Sequence, residues 1–292
     1  MDLYRFLYKY TMNASEIITG EKLQNLANIY IGEQSDFNYN PLIKQQLSKQ
    51  LLLSNIPNQF QNPPIIFCYA DRLNNISKII SNFQNPFTLI SHNSDQNITE
   101  TPEILTILNS PNLIKWYAQN ICFRHPKLEI APIGLANSMW PHGDLSLFDN
   151  IHYLRSIIKL NRIFFNFNIH TNPTIRQPCF NILSNFLPYL QNISPRENQI
   201  RLSTYEFCIS PEGNGKDCHR LWEALYLKVV PIVLRTPFTE TLLRNNIPLV
   251  VLDKWEDIKE IGPTLKYTDY DFSVIEREFT MSAFIRKINS NQ

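Results

Sequence analysis

The stretch FCISPEGNGKDCHRLWEALYLKVVPIVL, residues 207–234, combines an apolar strand, a short polar loop, a helical pattern and a second apolar strand. Its loop holds Gly213 and Gly215, two of the seven glycines in the whole chain. Parallel strands need a long crossover between them, and a helix is the usual one. The stretch therefore predicts an α/β fold in which this loop lies where a buried strand gives way to a helix.

The same alternation of apolar runs and helical patterns begins near residue 64. In the first half of the chain it predicts four strands, at 64–70, 87–91, 113–118 and 128–134. Between two of them it predicts a helix with Thr101 as the N-cap and Pro102 at the first helical position. A polar, aromatic stretch at 137–150 and the amphipathic segment 151–160 then interrupt the pattern.

After this interruption the alternation restarts. It predicts four further strands, at 162–169, 205–210, 229–234 and 247–252. It also predicts three helices, near 174–190, from Asp217 onward, and near 237–245. The restart indicates two α/β lobes, one over 1–155 and one over 156–270, followed by a C-terminal helix over 271–292.

The composition is that of a globular protein. Of 292 residues, 43% are hydrophobic and 18% are charged. Lysine and arginine number 27 against 26 aspartates and glutamates, and no basic run is interleaved with aromatic residues. We therefore expect neither nucleic acid nor an anionic membrane surface to be the main partner.

The cysteines and the apolar runs bear on the compartment. The five cysteines are odd in number and form no CxxC pair, so neither a disulfide framework nor a zinc knuckle is indicated. The first twenty residues lack the uninterrupted apolar core of a signal peptide, and no run reaches the 18 or so apolar residues of a membrane span. The expectation is a cytoplasmic protein without a transmembrane segment.

The helix after the PEGNG loop carries an apolar stripe and a polar stripe. At helical spacing, the apolar stripe holds Cys218, Leu221, Trp222 and Leu225, and the polar stripe holds Lys216, His219, Arg220 and Glu223. Unpaired N–H groups and the positive end of the helix dipole attract an anion where a parallel strand ends and a helix begins. A pyrophosphate there would contact His219 and Arg220, and Glu223 could accept both hydroxyls of a ribose. The alternative interpretation is that Asp217 only caps the helix and that Arg220 pairs with Glu223 at the surface.

Arg176 is a further candidate for the same anion. It follows the strand at 162–169, together with Thr171 and Asn172, at a strand-to-helix corner where a phosphate or sugar could bind. The alternative is a solvent-exposed arginine on the helix surface.

The segment FCISPEGNGKDCHRLWEALYLKVVPIV resembles the nucleotide-sugar-binding segment of exostosin-like glycosyltransferases. In that family a strand ending in F-C-x-x-P-x-G leads to an R-x-x-E-A helix and then to a short apolar strand containing proline. Fucosyltransferase-like enzymes carry a related strand, loop and E-A helix. The resemblance covers about thirty residues and departs at Lys228, where the family usually has glycine.

The resemblance implies a GT-B-like fold, two Rossmann-like lobes with parallel sheets facing a cleft, and inverting transfer without a metal. It assigns Arg220 to the diphosphate, Glu223 to the ribose, and the loop around Glu212 and Gly215 to the phosphates or sugar. The predicted donor-binding residues are thus Arg176, Ser210, Glu212, Gly213, Asn214, Gly215, His219, Arg220 and Glu223. No cofactor is implied beyond a nucleoside diphosphate sugar as co-substrate, with a UDP-sugar favoured.

Inverting transfer needs a general base for the acceptor hydroxyl. The stretch FTLISHNSDQN offers Asp95 as the first choice and His92 as the second, at the end of a predicted strand. The stretch PIGLANSMWPHGD offers Asn137, Trp140 and His142, which we interpret as an acceptor-sugar platform, with His142 or Asp144 as further candidates for the base.

Two patterns are interpreted as structural. Asp269 and Asp271 spell the DxD of metal-dependent glycosyltransferases, but they immediately precede an amphipathic segment, where Asp271 is a natural N-cap. No metal site is therefore predicted. Cys218 lies in the first turn of its helix and is interpreted as a packing residue.

These observations predict an enzyme that moves a sugar from a nucleoside diphosphate sugar to a hydroxyl of a glycan or glycoconjugate. Two alternatives remain open: a fucosyltransferase-like enzyme with a GDP-sugar donor, and a non-catalytic nucleotide-binding or scaffold protein. The sugar, the linkage and the oligomeric state depend on pocket and surface shape, which no motif in the sequence specifies.

Overall fold

A computed structural model describes residues 12–39, 44–56, 64–190 and 193–290. The chain folds as two compact units. Unit 1 comprises Gly134–Ala283 with the described part of Met1–Ile17, and unit 2 comprises Ile18–Ile133 with Phe284–Gln292. Within the described ranges, no helix has both the length and the apolar character needed to cross a bilayer.

Unit 2 is built on a six-stranded parallel sheet. Its strands are β1 (Ile29–Gly32), β2 (Gln50–Leu52), β3 (Ile65–Tyr69), β4 (Phe87–His92), β5 (Leu113–Ala118) and β6 (Leu128–Ile130), in the order β2-β1-β3-β4-β5-β6. Every pair of neighbours is parallel. The strand order reverses between β1 and β3, as in doubly wound α/β folds. The prediction of an α/β fold with parallel sheets is confirmed.

Unit 1 contains a four-stranded parallel sheet. Its strands are β7 (Asn161–Phe164), β8 (Tyr205–Ile209), β9 (Val230–Leu234) and β10 (Val250–Leu252), in the order β10-β9-β8-β7. Each strand pairs with the strand that precedes or follows it along the chain. The described strands of this sheet therefore show no reversal of order, and the loops after β7 and β8 leave the same edge side by side.

Helices connect the strands. In unit 2 they are α1 (Gly20–Leu26), α2 (Gln34–Tyr39), α3 (Leu73–Ile79) and α4 (Pro102–Leu108). In unit 1 they are α5 (Ile151–Ser156), α6 (Pro173–Leu183), α7 (Pro195–Ser203), α8 (His219–Tyr226), α9 (Pro237–Arg244), α10 (Ile258–Ile261) and α11 (Ser273–Glu278). The last helix, α12 (Met281–Ser290), follows α11.

The predicted helix start at residues 101 and 102 is confirmed. The Thr101 side chain accepts a hydrogen bond from the backbone N–H of Ile104, and Pro102 is the first residue of α4. The same arrangement recurs in unit 1, where Ser194 caps α7 and Thr236 caps α9, each followed by proline. Side-chain oxygens at these positions satisfy N–H groups that no helical carbonyl can reach.

The predicted C-terminal helix over 271–292 is two helices, α11 and α12, within the described residues. The interruption has a packing cause. Phe279 and Thr280 are buried, the Phe279 ring packs on Trp222 at 5.4 Å between centroids, and its carbonyl accepts a hydrogen bond from the Tyr226 hydroxyl. Thr280 Oγ1 then accepts the N–H of Ala283 and restarts the helix.

Candidate functional site

The PEGNG loop follows β8 at the carboxyl edge of the unit 1 sheet. Ser210 continues the strand, since its N–H donates to the carbonyl of Ile232 on β9. Neither Gly213 nor Gly215 has a positive φ; among the described glycines Gly134 alone does. A Cβ at Gly213 would lie 3.5 Å from Arg176 Nη2 and 3.6 Å from the Cβ of Cys218, both ordinary contact distances. Asn214 at the tip is exposed.

Helix α8 begins at His219, two residues later than the predicted start at Asp217. Asp217 is buried and its Oδ1 accepts a hydrogen bond of 2.7 Å from Trp222 Nε1, so its side chain serves the core. The N-cap is Cys218, whose side chain makes no capping hydrogen bond. Burial raises the pKa of this thiol, in agreement with a packing role.

Arg220 and Glu223 form a buried pair of opposite charges that makes no hydrogen bond between its two side chains. Both lie on α8, and Arg220 Nε is 3.8 Å from Glu223 Oε2, too far for a hydrogen bond. Their side chains are only 17% and 8% exposed. Arg220 Nε is buried without a hydrogen-bond partner, and the Glu223 carboxylate accepts no hydrogen bond from any described residue. Buried polar groups left in this state are rare and need an explanation.

Arg220 also contacts the segment that follows β7, and its guanidinium carbon lies 5.9 Å from the centre of the Phe164 ring. Its Nη1 donates to the carbonyl of Asn166 at 2.7 Å, in the segment that follows β7. Burial alone would lower the pKa of Arg220, but the charge of Glu223 and the neighbouring thiols outweigh it, and the net direction is upward. The guanidinium therefore stays charged, and at Nε it retains donor capacity that the described residues do not use.

Arg176 lies beside the same loop and is buried, unlike the exposed arginine that the alternative interpretation required. Its Nε donates to the Glu212 carbonyl at 2.9 Å and its Nη1 to the Asn168 carbonyl at 2.8 Å. Burial lowers the pKa of Arg176, and the positive charge of Arg220 acts in the same direction. The two neighbouring arginines are thus both held by backbone carbonyls next to the loop.

The remaining predicted donor residues line the loop. Glu212 Oε2 pairs with Lys216 Nζ at 2.6 Å, and Glu212 Oε1 is buried without a partner among the described residues. The Gly213 carbonyl accepts a hydrogen bond of 2.7 Å from Asn172 Nδ2, while Asn172 Oδ1 accepts the Ile175 N–H and caps α6. The Ser210 hydroxyl lies 3.6 Å from the Cys218 sulfur. Side chains of the same unit therefore hold the loop at Glu212 and Gly213.

The residues assigned to an acceptor platform also lie in unit 1. Trp140 and His142 are exposed and stack with ring centroids 6.5 Å apart. The His142 ring lies 6.1 Å from that of His219, the first residue of α8, and His219 Nδ1 is 2.9 Å from the Gly134 carbonyl. The segment 134–155, assigned from the sequence to the first lobe, belongs to this unit by its contacts. The platform is thus next to the start of α8.

A tight turn positions this platform. The Trp140 N–H donates to the carbonyl of Asn137, and the Gly143 N–H donates to the carbonyl of Trp140. A Cβ at Gly143 would lie 2.0 Å from the Asn137 oxygen, so only glycine fits there. Asn137 therefore contributes its backbone to the turn that presents Trp140 and His142.

The two candidate bases lie at the end of β4 in unit 2, His92 as its last residue and Asp95 three residues later, and they differ in environment. His92 is 1% exposed; its Nε2 is 3.0 Å from the Pro132 carbonyl and its Nδ1 is 3.1 Å from Asn93 Oδ1. Both ring nitrogens are engaged, which is typical of a structural histidine. Asp95 is exposed. Its assignment as the base stays a prediction.

The DxD pair lies just before α11, but the N-cap of this helix is Phe272 and not Asp271 as predicted. Asp271 Oδ1 accepts the N–H of Ser273, the first residue of α11, and Oδ2 accepts its hydroxyl. These two hydrogen bonds lower the pKa of Asp271. Asp269 lies two residues earlier, at the end of a 3-10 turn.

Asn166 and Asn168 were not predicted from the sequence. Their carbonyls hold the two arginines, and a carbonyl is carried by every residue type, so no motif marks it. Comparison with models of known protein families finds no match, and no curated protein is detectably similar to this chain. The similarity of residues 207–233 to exostosin-like enzymes stays a prediction.

Proposed function

We propose that unit 1 binds a nucleoside diphosphate sugar and that the chain transfers its sugar to an acceptor hydroxyl. The observation that carries this proposal is the pair Arg220–Glu223. A buried guanidinium N–H and a buried carboxylate, both without hydrogen-bond partners among the described residues, lie at the start of a helix beside a loop at a sheet's carboxyl edge. An anion and a diol would satisfy the two groups at once.

The chemistry required of such a site matches these groups. When the nucleoside diphosphate leaves, negative charge builds on its phosphate oxygens, and a donor aimed at them stabilises the transition state. Arg220 Nε supplies that donor, and the uncapped N-terminus of α8 adds the positive end of its dipole. Arg176, held by the Glu212 and Asn168 carbonyls, adds a second positive charge nearby. Glu223 is left to accept hydroxyls of the ribose.

The acceptor side of the proposal uses Trp140 and His142. Exposed aromatic rings give a sugar an apolar face to pack on, and this pair lies beside His219 at the beginning of α8. An acceptor on this platform would therefore be close to the donor site within the same unit. We assign the removal of its proton to Asp95, with His142 and Asp144 as the remaining candidates.

More specifically, we propose that the chain is an exostosin-like enzyme of GT-B type that acts in the cytoplasm. We expect it to use a UDP-sugar and to transfer the sugar with inversion and without a metal. The five cysteines are all free, as expected of a reducing compartment. Asp269 and Asp271 are not assigned to a metal because Asp271 accepts the N–H and the hydroxyl of Ser273 at the start of α11. A GDP-sugar donor, as in fucosyltransferase-like enzymes, is the nearest alternative.

The test is a binding screen of the wild-type protein with UDP, GDP, CMP and dTDP, followed by thermal unfolding and calorimetry. A ligand that binds only the folded state raises the melting temperature. Arg220→Ala should weaken the preferred nucleotide by roughly 1.5–3 kcal/mol, the value of a hydrogen bond to a charged group. Arg201→Ala, which removes an exposed arginine from α7, is the matched control and should bind normally.

A second arm tests Glu223. Wild type should prefer UDP to 2′-deoxy-UDP if Glu223 accepts the ribose hydroxyls, and Glu223→Ala should lose most of that preference. No nucleotide binding by the wild type would end the proposal. Binding that depends on Arg220 but comes with no sugar transfer from any donor would favour the non-catalytic alternative.

A further inference from the structure

A pocket of ≈ 520 Å³ opens beside the segment that follows β7. Its lining comes from two stretches of unit 1 and comprises Asn166, Phe167, Asn168, Ile169, His170, Tyr189, Leu190 and Ile193. Sites for small organic ligands typically enclose about 300–1,000 Å³ and combine apolar walls with a few polar groups. This pocket has both the size and the mixed lining.

The aromatic wall of the pocket is rigid. The Tyr189 ring packs against Phe165 at 5.0 Å and Phe180 at 4.9 Å between centroids, and it contacts Phe167 at 6.0 Å. The Tyr189 hydroxyl donates a hydrogen bond to the Phe167 carbonyl. Tyr189 and Phe167 are therefore held in place before any ligand arrives, which reduces the entropy lost on binding.

Three polar groups at the pocket retain hydrogen-bonding capacity. Asn166 Nδ2 donates to Asn198 Oδ1 and Asn168 Oδ1 accepts the His170 N–H, whereas the other amide atom of each asparagine has no partner among the described residues. The His170 ring is exposed and likewise makes no hydrogen bond within the described ranges. One acceptor, one donor and an imidazole beside the half-buried Tyr189 ring suit a flat, polar-edged heterocycle.

The pocket shares its wall with the two arginines. The carbonyl of Asn166 accepts from Arg220, and the carbonyl of Asn168 accepts from Arg176. Phe167, between them, lies on the pocket, and the Arg176 guanidinium carbon is 5.8 Å from the centre of its ring. A ligand with a heterocycle in the pocket and anionic groups on the arginines would thus bridge adjacent sites at one edge of the sheet.

We propose that this pocket binds the nucleobase of the donor, with the phosphates directed toward Arg176 and Arg220. The inference rests on the proposed function, since it names the subsite that would distinguish one nucleotide from another. The Asn166 and Asn168 amides are its specificity-determining groups, and the half-buried Tyr189 ring provides stacking.

The first experiment fills the pocket. Ile169→Trp places a large side chain in it, and Ile200→Trp makes the same change on α7, away from the pocket lining. Calorimetry with the preferred nucleoside diphosphate should show affinity reduced by roughly 10- to 100-fold for Ile169→Trp, the range expected for losing base stacking, and unchanged for Ile200→Trp. Inorganic pyrophosphate should bind both variants like wild type.

The outcomes separate the two proposals. If Ile169→Trp binds the nucleotide normally while Arg220→Ala does not, the nucleobase pocket is overturned and the diphosphate site stands. If the wild type binds no nucleotide, both are overturned. A second measurement needs no variant: photocrosslinking wild type with 5-iodo-UDP or 8-azido-GDP should label a residue within 166–170, or Tyr189, Leu190 or Ile193. A crosslink that maps only elsewhere contradicts the pocket even if Ile169→Trp fails to fold.

Discussion

Lys228 and Asn246 occupy equivalent positions in two successive helix-ending turns. Both have a positive φ, 55° and 57°, directly after the C-cap residues of α8 and α9. Lys228 donates to the Leu225 carbonyl, and the next residue donates to the Ala224 carbonyl; Asn246 repeats the pattern on α9. These are Schellman turns, which usually place glycine at this position. Lys228 therefore adopts a left-handed backbone conformation that glycine adopts more readily.

Lys228→Gly should stabilise the protein by roughly 0.5–1 kcal/mol. The left-handed conformation costs a lysine about 1–2 kcal/mol, and the gain is partly offset by the greater freedom of glycine in the unfolded chain. Asn246→Gly is the matched control and should change little, because asparagine tolerates this conformation. Urea unfolding of both variants measures the difference, and equal shifts would contradict this explanation.

Gly143→Ala should destabilise the turn that presents Trp140 and His142, by roughly 1–3 kcal/mol as for other overpacked sites. The added Cβ would overlap the Asn137 carbonyl oxygen at 2.0 Å. Gly213→Ala is the contrast, since its Cβ would have no described neighbour nearer than 3.5 Å, and it should unfold like wild type. Thermal unfolding compares the two. A stable Gly143→Ala protein would show that the turn can open without loss.

Lys159 predicts a pH dependence of stability. Its Nζ donates to the carbonyls of Ser203 and Leu227, at the ends of α7 and α8. Burial, followed by the charges of Lys228 and Arg155, lowers the pKa of Lys159 from 10.5 to about 8. At pH values between these two pKa values, Lys159 is protonated in the unfolded chain and deprotonated in the folded chain. The Lys159 contribution to the free energy of unfolding therefore rises with pH across this window.

The measurement is urea unfolding of wild type and Lys159→Met at a series of pH values from 7 to 10. The difference in their free energies of unfolding should shift in favour of wild type above pH 8, by roughly 1–3 kcal/mol in total. Lys254→Met, at an exposed position, serves as the control. A difference that stays flat with pH would mean that Lys159 keeps its ordinary pKa.

Asp95→Asn should leave nucleotide binding intact and lower turnover by about 10²–10⁴-fold, the range for loss of general base catalysis. His92→Gln, by contrast, should reduce stability more than turnover of the folded fraction, because the His92 ring is buried and bonded at both nitrogens. Steady-state kinetics with the identified donor gives both answers. Near-normal turnover in Asp95→Asn would redirect the search to His142 and Asp144.

The strands from residue 64 onward were predictable because each is a run of apolar residues bounded by loop signals. β1 and β2 were missed, since IYIG and QLL are too short to show a period and depend on β3 and on each other for pairing. The start of α8 was predicted two residues too early because aspartate is a common N-cap residue. The Asp217 carboxylate instead accepts a hydrogen bond from Trp222 Nε1. Tertiary contacts of this kind leave no local signal.

In the candidate site, too, some features could be predicted from the sequence and others depend on tertiary contacts. The positions of Arg220 and Glu223 on one helix followed from their spacing, as did the position of the loop at a strand end. The burial of Arg176, the carbonyls of Asn166 and Asn168, and the pocket at Tyr189 did not, because they arise where separate stretches of chain meet.

The simple strand order of unit 1 has a consequence for the way the candidate site is assembled. In the sheet β10-β9-β8-β7 each strand pairs with its neighbour in sequence, so the sheet can grow one strand at a time as the chain is synthesised. The loop after β8 is fixed at its start by the bond from the Ser210 N–H to the Ile232 carbonyl of β9. The start of the loop therefore lacks this hydrogen bond until β9 has emerged and docked, and a nascent chain ending within α8 would carry every loop residue without it.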